Sequence, residues 1–276
     1  NMKYYLYNGL SNNKIKPEIV ENFEENENQK LIDAGLVNYP EFFGNLNAED
    51  EVVLIGGDGT INYFINQVPY ESLKNNVYYY AAGSGNDFLR DINGKVGEEV
   101  LLNPYLKNLP TVYVKDVVSK FINGIGYGLD GYCCEVGDKL KLQSDKPINY
   151  TSIAIKGLLF NFKPRNATVI VDGKKYEHHN VWLVPTMKGR FYGGGLMIAP
   201  NQDRLSDEVS VVVYQSKSRI SSLMTFRYVP TGQHIKKEKM VKIYTGKEIE
   251  VQFDRPTALQ IDGETVLGVE SYRVKA

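Results

Sequence analysis

Hydrophobic positions in the first third of the chain follow the pattern of a buried parallel sheet with helices between its strands. Compact apolar runs predict strands at residues 3–7, 51–55 and 77–82. Residues 61–68 predict a helix between the second and third runs, which makes a βαβ unit. Pro17 opens an acidic stretch up to Asp33 that predicts another helix, because proline is tolerated at the first helical position.

Beyond about residue 111 the pattern changes to short alternating runs separated by turn residues, which is typical of antiparallel sheets. These runs lie at 111–114, 117–122, 167–171, 181–185, 209–214, 239–244, 249–253 and 258–261. Residues 148–162 are the one clear helical interruption. The sequence therefore predicts two domains, an α/β domain over residues 1–112 and a mostly antiparallel β-sandwich domain over residues 113–276.

The composition is that of a globular protein with a hydrophobic core, since 42% of the residues are hydrophobic and 24% are charged. A formal net charge of −1 gives no overall attraction to nucleic acid. No apolar run approaches the ~20 residues that span a bilayer. The two cysteines, Cys133 and Cys134, are sequence neighbours and do not suit a disulfide with each other. These features predict a cytoplasmic protein without a nucleic-acid partner.

A glycine-rich turn, Gly56-Gly57-Asp58-Gly59-Thr60, follows the second predicted strand and precedes the predicted helix. Glycines let the backbone approach a ligand without an obstructing Cβ, and a helix N-terminus favours an anion such as phosphate. Asp58 would repel a bare phosphate, so its presence indicates a bridging Mg²⁺. The alternative is a strand-to-helix turn that only needs positive φ. The turn is not a P-loop, because the chain contains no Gly-x-x-x-x-Gly-Lys-Ser/Thr.

Several segments resemble the diacylglycerol kinase catalytic-domain family, which shares its nucleotide loop with sphingosine kinases and NAD kinases. Residues 55–66 follow that loop closely, and Gly83-Ser84-Gly85-Asn86-Asp87-Phe88 resembles the second motif of the lipid kinases. Further similar segments lie at 193–200, 231–236 and 259–264. The resemblance implies a three-layer NAD kinase/diacylglycerol kinase-like α/β domain followed by the β-sandwich. The chain departs from the family at Tyr63, where the family usually has glutamate, and residues 14–50 look shortened.

The resemblance also implies a binding site for ATP with Mg²⁺. The implied nucleotide-binding residues are Asn8, Gly9, Ser11, Gly56, Gly57, Asp58, Gly59, Thr60, Asn62, Gly83, Ser84, Asn86 and Asp87. Asp58 and Asp207 are the implied metal ligands. A gapless match puts Ser206 where the family has aspartate, and a shift of one residue restores Asp207, so the sequence leaves Asp207 open between a metal ligand and an exposed loop acid.

For the reaction itself, the resemblance implies that Asp262 is the general base and Glu264 a supporting carboxylate. The alternative for Asp262 is an ordinary Asp-Gly hairpin turn, which is a common structure. The predicted function is an ATP-dependent lipid kinase that phosphorylates a lipid substrate such as diacylglycerol during transient contact with a membrane surface. A kinase of a soluble alcohol and a catalytically weak lipid- or nucleotide-binding relative are the alternatives, and a homodimer stays open.

A Gly-x-Gly-x-x-Gly pattern also occurs within residues 123–131. A dinucleotide-binding loop would need the first strand of a βαβ unit before this pattern, and here the pattern lies in the β-rich half. The resemblance favours a glycine-rich turn near the cleft between the domains.

Overall fold

The computed structural model describes residues 1–8, 17–83 and 85–276. They form two compact units, Asn1–Asn108 and Leu109–Ala276. Three of the residues implied in nucleotide binding, Gly9, Ser11 and Ser84, lie outside the described residues.

The first unit contains a five-stranded sheet with the strand order β2-β1-β3-β4-β5. Its strands are β1 (Lys3–Tyr7), β2 (Gln29–Asp33), β3 (Glu51–Gly56), β4 (Asn76–Ala81) and β5 (Glu99–Leu101). The first four are mutually parallel, and β5 runs antiparallel to β4. Val52, Val53 and Leu54 of β3 are fully buried. Apolar residues on both faces of β3 place it in the middle of the sheet, as the continuous apolar run predicts.

The first unit also contains helices that pack with this sheet and with one another. They are α1 (Glu18–Glu21), α2 (Tyr39–Gly44), α3 (Asp58–Gln67) and α4 (Asp87–Asp91). Val20 of α1 packs in a cluster with Tyr5, Val53 and Ile55. Aromatic side chains join α2 to α3, and the ring centroids of Phe43 and Phe64 are 5.2 Å apart.

The predicted helix between Pro17 and Asp33 is wrong beyond its first turn. Only Glu18–Glu21 are helical, and Gln29–Asp33 instead form β2 in parallel register with β1. Asn22 ends the helix, and its side-chain amide donates to the Glu18 carbonyl at 3.1 Å. Asparagine side chains compete with the helical backbone for hydrogen bonds, whereas the edge of β1 offers a complete ladder to the segment that follows.

The second unit is built on a ten-stranded sheet in which every described pairing is antiparallel. Its strands are β6 (Thr111–Val114), β7 (Val117–Lys120), β8 (Gly124–Tyr127), β9 (Arg165–Val171), β10 (Lys174–Leu183), β11 (Thr186–Met187), β12 (Val209–Gln215), β13 (Val241–Gly246), β14 (Glu248–Ile261) and β15 (Glu264–Lys275).

Strand β14 closes this sheet on itself. Its first half pairs with β9 and its last residues pair with β8, while its other edge pairs with β15. The register against β15 shifts between Gln252 and Leu259, so β14 bends where the sequence pattern predicts a gap between two separate runs. Buried side chains such as Val169, Val211 and Val251 fill the interior.

Three helices pack on the second unit: α5 (Leu129–Gln143), α6 (Tyr150–Lys156) and α7 (Arg219–Phe226). A π-helical turn, Gly157–Asn161, extends α6. The prediction of a single helical interruption is therefore wrong, because α5 and α7 were missed. The glycines before α5 hide its start, and its buried residues include two more glycines, Gly131 and Gly137. Within the described ranges, no helix has the length and apolar character needed to cross a membrane.

Candidate functional site

The glycine-rich turn of the first unit lies at the carboxyl end of β3, where Gly57 caps the N-terminus of α3. None of its glycines has a positive φ, so the turn does not need glycine for its backbone conformation. A Cβ added to Gly56 would lie 2.1 Å from Thr60 Oγ1, and one added to Gly83 would lie 3.0 Å from the Gly57 Cα. Close packing therefore requires glycine at positions 56 and 83, which favours a ligand site over a simple turn.

Asp58 joins the two glycine segments of the first unit. Its Oδ2 accepts a hydrogen bond from the Asp87 N–H at 2.9 Å, and its Oδ1 accepts one from the Phe88 N–H at 3.2 Å. The carboxylate of Asp58 thus caps the N-terminus of α4 from another segment of the chain. Asp87 is itself buried and forms an ion pair with Arg90 at 2.9 Å. These hydrogen bonds therefore join two motifs that are separate in the sequence.

The surface around these two joined motifs leaves room for a ligand. A Cβ at Gly59 would meet no atom within 4 Å, and Gly57, Asn62 and Gly83 are half-buried. Among the described residues, the buried Oδ1 of Asn86 has no hydrogen-bond partner. Carboxyl ends of neighbouring parallel strands are where open α/β sheets bind ligands.

Asp58 fits a role as one ligand of a nucleotide-borne Mg²⁺. Each carboxylate oxygen accepts a backbone N–H, which orients an oxygen donor of the kind that Mg²⁺ prefers. Over residues 1–8, 17–83 and 85–276, no three His, Cys, Asp or Glu side chains are grouped to hold a metal. Mg²⁺ commonly takes only one or two carboxylates and completes its shell with phosphate oxygens and water.

Tyr63 occupies the position at which the family usually has glutamate. Its ring packs edge-on against Tyr39 with centroids 5.1 Å apart, and 51% of Tyr63 is exposed. Tyr63 therefore contacts the shortened region between residues 14 and 50. Asn8, which belongs to the predicted first nucleotide-binding segment, is exposed just after β1.

Asp262 lies in a two-residue hairpin between β14 and β15. Asp262 and Gly263 have φ values of 47° and 94°, as a type I′ turn requires. The hairpin alternative therefore describes the backbone correctly. The carboxylate of Asp262 nevertheless accepts hydrogen bonds from the N–H groups of Ile122 at 2.7 Å, Asn123 at 2.9 Å and Gly124 at 3.1 Å.

These three donors define what Asp262 can do chemically. Hydrogen bonds from N–H groups stabilise the ionised form of a carboxylate and fix its orientation. A proton acceptor of this kind is well oriented, so it serves where the alcohol is losing its proton in the transition state. Glu264, two residues later, is exposed at the start of β15.

Arg204 holds the opposite side of the segment that binds Asp262, and the sequence did not reveal it. The buried guanidinium donates to the Ile122 carbonyl at 2.6 Å and to Asn123 Oδ1 at 2.8 Å. The Asn123 carbonyl accepts from the Lys188 N–H at 2.9 Å. The turn at residues 122–124 is thus clamped by a cation on one side and a carboxylate on the other.

Asp130 is a second residue that the sequence motifs did not indicate. It lies in the first turn of α5, and Tyr192 donates its hydroxyl to Asp130 Oδ1 at 2.7 Å. Within the part of the chain that the structure describes, Asp130 Oδ2 has no hydrogen-bond partner. Burial raises the pKa of Asp130 to about 7. A carboxyl that titrates near neutrality is a candidate for proton transfer, and its position in a glycine-rich segment was the available signal.

The pKa of Asp130 predicts a pH-dependent stability. When the chain unfolds, this carboxyl returns to its ordinary pKa of 3.8. The folded chain then holds the proton more tightly, so stability from neutral Asp130 is present below about pH 4 and is lost as the pH rises to about 7. As the pH rises from about 5 to about 8, we expect the free energy of unfolding of Asp130→Asn to increase relative to that of the unmodified chain. The expected increase is on the order of 1–3 kcal/mol.

Urea unfolding of both chains at the two pH values measures this effect. Tyr192→Phe is the matched control, because it removes the neighbouring hydroxyl and leaves the carboxyl in place. A stability difference between Asp130→Asn and the unmodified chain that does not change with pH would contradict the prediction.

The Gly-x-Gly-x-x-Gly pattern is neither a dinucleotide loop nor the expected turn. It runs from β8 into α5, and its glycines allow close packing. A Cβ at Gly128 would lie 2.6 Å from the Trp182 carbonyl oxygen, and one at Gly131 would lie 1.9 Å from the Ala258 carbonyl oxygen. Gly128 also has a φ of 100°, which favours glycine.

Asp207 and His234 have contrasting environments. The Asp207 side chain is exposed and pairs with Lys247 at 3.0 Å, and this hydrogen-bonded partner lowers the pKa of Asp207.

His234 is fully buried, and its Nε2 lies 2.9 Å from the Ile198 carbonyl oxygen. Burial lowers the pKa of His234, as expected for a neutral structural histidine.

Comparison with known families agrees with this architecture. Residues 123–274 match the YegS C-terminal NAD kinase beta sandwich-like domain, and residues 5–110 match the diacylglycerol kinase catalytic domain. The first match alone covers more than half of the chain. The chain belongs to this diacylglycerol kinase-like family and is a kinase, that is, a phosphotransferase. The resemblance found in the motifs and the predicted fold class are confirmed.

Individual relatives are distant. The chain is 22% identical over 243 residues to the protein named "Putative lipid kinase YtlR" of Bacillus subtilis, which covers 81% of this chain and 76% of that protein. It is 22% identical over 199 residues to a diacylglycerol kinase of Mycobacterium tuberculosis, covering 69% of this chain and 63% of the relative. A solved diacylglycerol kinase structure from Bacillus anthracis covers 99% of this chain and 93% of its own, with a TM-score of 0.61 at 15% identity, and so shares the fold.

Proposed function

We propose that this kinase transfers the γ-phosphate of ATP to a hydroxyl group of a lipid such as diacylglycerol. The observation that carries the proposal is the carboxylate of Asp262. Three backbone N–H groups hold it in one orientation on a hairpin, at the position that the resemblance assigns to the general base. The names of the relatives support a lipid acceptor, since both curated proteins are described as lipid or diacylglycerol kinases.

On the nucleotide side, the backbone around Gly57 and Gly83 would bind the phosphates. The N-terminus of α3 contributes N–H groups and a favourable dipole for negative charge. Asp58 would hold Mg²⁺ together with phosphate oxygens, and the ion would neutralise charge on the transferred group. Thr60 and Asn62, in the first turns of α3, would contribute polar groups beside the same loop.

On the acceptor side, Asp262 would orient the alcohol and receive its proton. The hydroxyl oxygen forms a bond to the γ-phosphorus while the bond from phosphorus to the β–γ bridging oxygen breaks, so ADP leaves with that oxygen. The proton passes to the Asp262 carboxylate and then to solvent. The charge-stabilised acceptor suits a loose transition state, in which proton transfer is late. Glu264 would support the negative potential around this base.

The three helices of the second unit offer a surface for the membrane contact. Exposed apolar side chains of these helices and of the π-helical turn, here called the apolar helical surface, are Leu142 (90%), Phe160 (75%), Ile220 (71%), Met224 (47%) and Ile155 (37%). Arg219 of α7 donates to the Gly157 and Leu158 carbonyls, which ties α7 to the π-helical turn.

Charge favours an anionic bilayer as the occupant of the apolar helical surface. Residues 138–163 contain five lysines and two aspartates, so they are net positive. Basic residues around exposed apolar side chains are typical of a protein that binds the membrane interface from solution. Other side chains of the π-helical turn and its C-cap belong to the core, because Leu158 and Phe162 are buried in a cluster with Trp182.

Replacing Leu142 and Phe160 by serine is expected to weaken binding to vesicles of phosphatidylglycerol and phosphatidylcholine by about tenfold or more. Insertion of either side chain into the interface contributes on the order of 1.5–3 kcal/mol, of which a part is lost. Co-sedimentation with vesicles measures the change. Leu36→Ser is the matched control, since Leu36 is 87% exposed in the first unit. Equal binding by the double variant and the control would rule out this surface.

The acceptor is identified by incubating the protein with γ-labelled ATP, Mg²⁺ and mixed micelles. The micelles carry diacylglycerol, monoacylglycerol, ceramide, sphingosine or no lipid, and Asp262→Asn runs in parallel. We expect label in an organic-extractable product, absent with the variant. Nucleotide binding without transfer to any lipid would overturn the lipid proposal and favour a soluble alcohol as acceptor.

A further inference from the structure

Lys188 is a fully buried lysine beside the loop formed by residues 203–208, here called the acidic loop. Its Nζ donates to the Ser206 carbonyl at 2.7 Å, and its own carbonyl accepts from Gln202 Nε2 at 3.2 Å. Burial, with Arg204 nearby, lowers the pKa of Lys188 to about 8. Lysine is almost never fully buried without specific partners, which indicates a defined role for this ammonium.

The acidic loop is where the resemblance implies a metal ion, and its residues do not fit Mg²⁺. Ser206 stands at the gapless position of the family's aspartate. The Ser206 carbonyl, a suitable metal ligand, is bound by Lys188 Nζ. Asp207 is exposed and paired with Lys247. Two buried cations, Lys188 and Arg204, already lie at this loop, and both oppose the binding of a divalent ion there.

The acidic loop is connected to Asp262 by hydrogen bonds that pass through Ile122 and Asn123. Arg204 belongs to the loop and binds the Ile122 carbonyl and the Asn123 side chain. The N–H groups of those two residues hold the Asp262 carboxylate. A cation that fixes the loop therefore also fixes the support of the proposed base.

We infer that the ammonium of Lys188 takes the place of a divalent metal ion in the acidic loop. The second unit then needs no Mg²⁺ for its structure, and Mg²⁺ serves this kinase only with its nucleotide. The inference is independent of the acceptor, because its test uses neither lipid nor nucleotide. It competes with the prediction that Asp207 is a metal ligand.

The first test is the melting temperature of the unmodified chain and of Asp207→Asn, each in EDTA and in saturating Mg²⁺. A structural metal site at 100-fold saturation would raise the melting temperature of a chain of this size by roughly 5–10 °C. We expect the Mg²⁺-dependent shift to be the same in both chains. A Mg²⁺ stabilisation that the unmodified chain shows and Asp207→Asn lacks would overturn the inference.

The second test restores a metal site. In Ser206→Asp/Lys188→Met the ammonium is replaced by an uncharged side chain of similar length and a carboxylate enters the loop. We expect Mg²⁺ to raise the melting temperature of this chain by roughly 5–10 °C, as for the structural metal site considered above. The control, Ser206→Asp/Lys247→Met, keeps the buried ammonium and should gain no such shift. An equal gain in both chains would show that Lys188 does not exclude the metal.

Discussion

Asp262→Asn is expected to lower phosphoryl transfer by about 10²–10⁴-fold, the range that general-base catalysis typically contributes. Asparagine keeps the size of the side chain but cannot accept the proton of the alcohol. Its amide would also present N–H donors to a site where the N–H groups of Ile122, Asn123 and Gly124 need acceptors. A loss of stability on the order of 1–3 kcal/mol accompanies this mismatch. Initial rates with labelled ATP, corrected for the folded fraction, measure the catalytic part.

The chain contains a matched control for this experiment. Asp172 and Gly173 form a second Asp-Gly hairpin in the same unit, with the same φ of 47° at the aspartate. The Asp172 carboxylate likewise accepts backbone hydrogen bonds, from Lys247 at 2.9 Å and Glu248 at 2.8 Å. Asp172→Asn should cost similar stability and leave the rate per folded molecule unchanged. If both variants retained full activity, Asp262 would be a turn residue and not the base.

Asp58→Asn is expected to reduce kcat/KM for ATP by about 10²-fold or more and to raise the Mg²⁺ concentration needed for half-maximal rate. The variant loses the charge that would hold Mg²⁺ at the nucleotide. It also weakens the cap on α4, because the amide offers only one acceptor oxygen to the N–H groups of Asp87 and Phe88. This capping loss costs about 1–2 kcal/mol. Steady-state kinetics over a Mg²⁺ series separate the two effects.

Asp50 supplies the control for the first unit. It is buried, and its two carboxylate oxygens accept from the N–H groups of Met2 and Asn47, both at 2.9 Å. Asp50→Asn therefore disturbs a carboxylate that likewise accepts two backbone N–H groups in the same unit. We expect it to lower the melting temperature and to leave the Mg²⁺ dependence unchanged. An Mg²⁺ dependence of Asp58→Asn equal to that of Asp50→Asn would remove Asp58 from the metal site.

The proposals for Asp58 and Lys188 give the two cations different tasks. Mg²⁺ would act with Asp58 on the nucleotide, where charge moves during the reaction and an exchangeable ion is useful. Lys188 would act on the acidic loop, where the charge is constant and a covalently attached ammonium needs no supply from solution. Rates would then depend on Mg²⁺ through the nucleotide alone.

The sequence by itself determined the elements and motifs whose information is local. Strand β3 and the glycine turn after it were predicted because one contiguous segment carries both the apolar run and the turn residues. The hairpin at Asp262 was open to the sequence as the alternative to a catalytic role, since an Asp-Gly pair is a common hairpin turn. The family resemblance likewise rested on short contiguous segments, and it led to the correct fold class and to a kinase.

The tertiary structure alone decided which groups surround those motifs. The N–H groups that hold Asp262 come from a segment about 140 residues earlier, and the cap that Asp58 places on α4 joins segments 29 and 30 residues apart. The buried environment of Asp130 and the contact of Lys188 with Ser206 depend on packing between separate elements. Strand β2 was not predicted, because its stability comes from pairing with β1. Burial and long-range hydrogen bonds are properties of the assembled chain, and no local sequence window contains both partners.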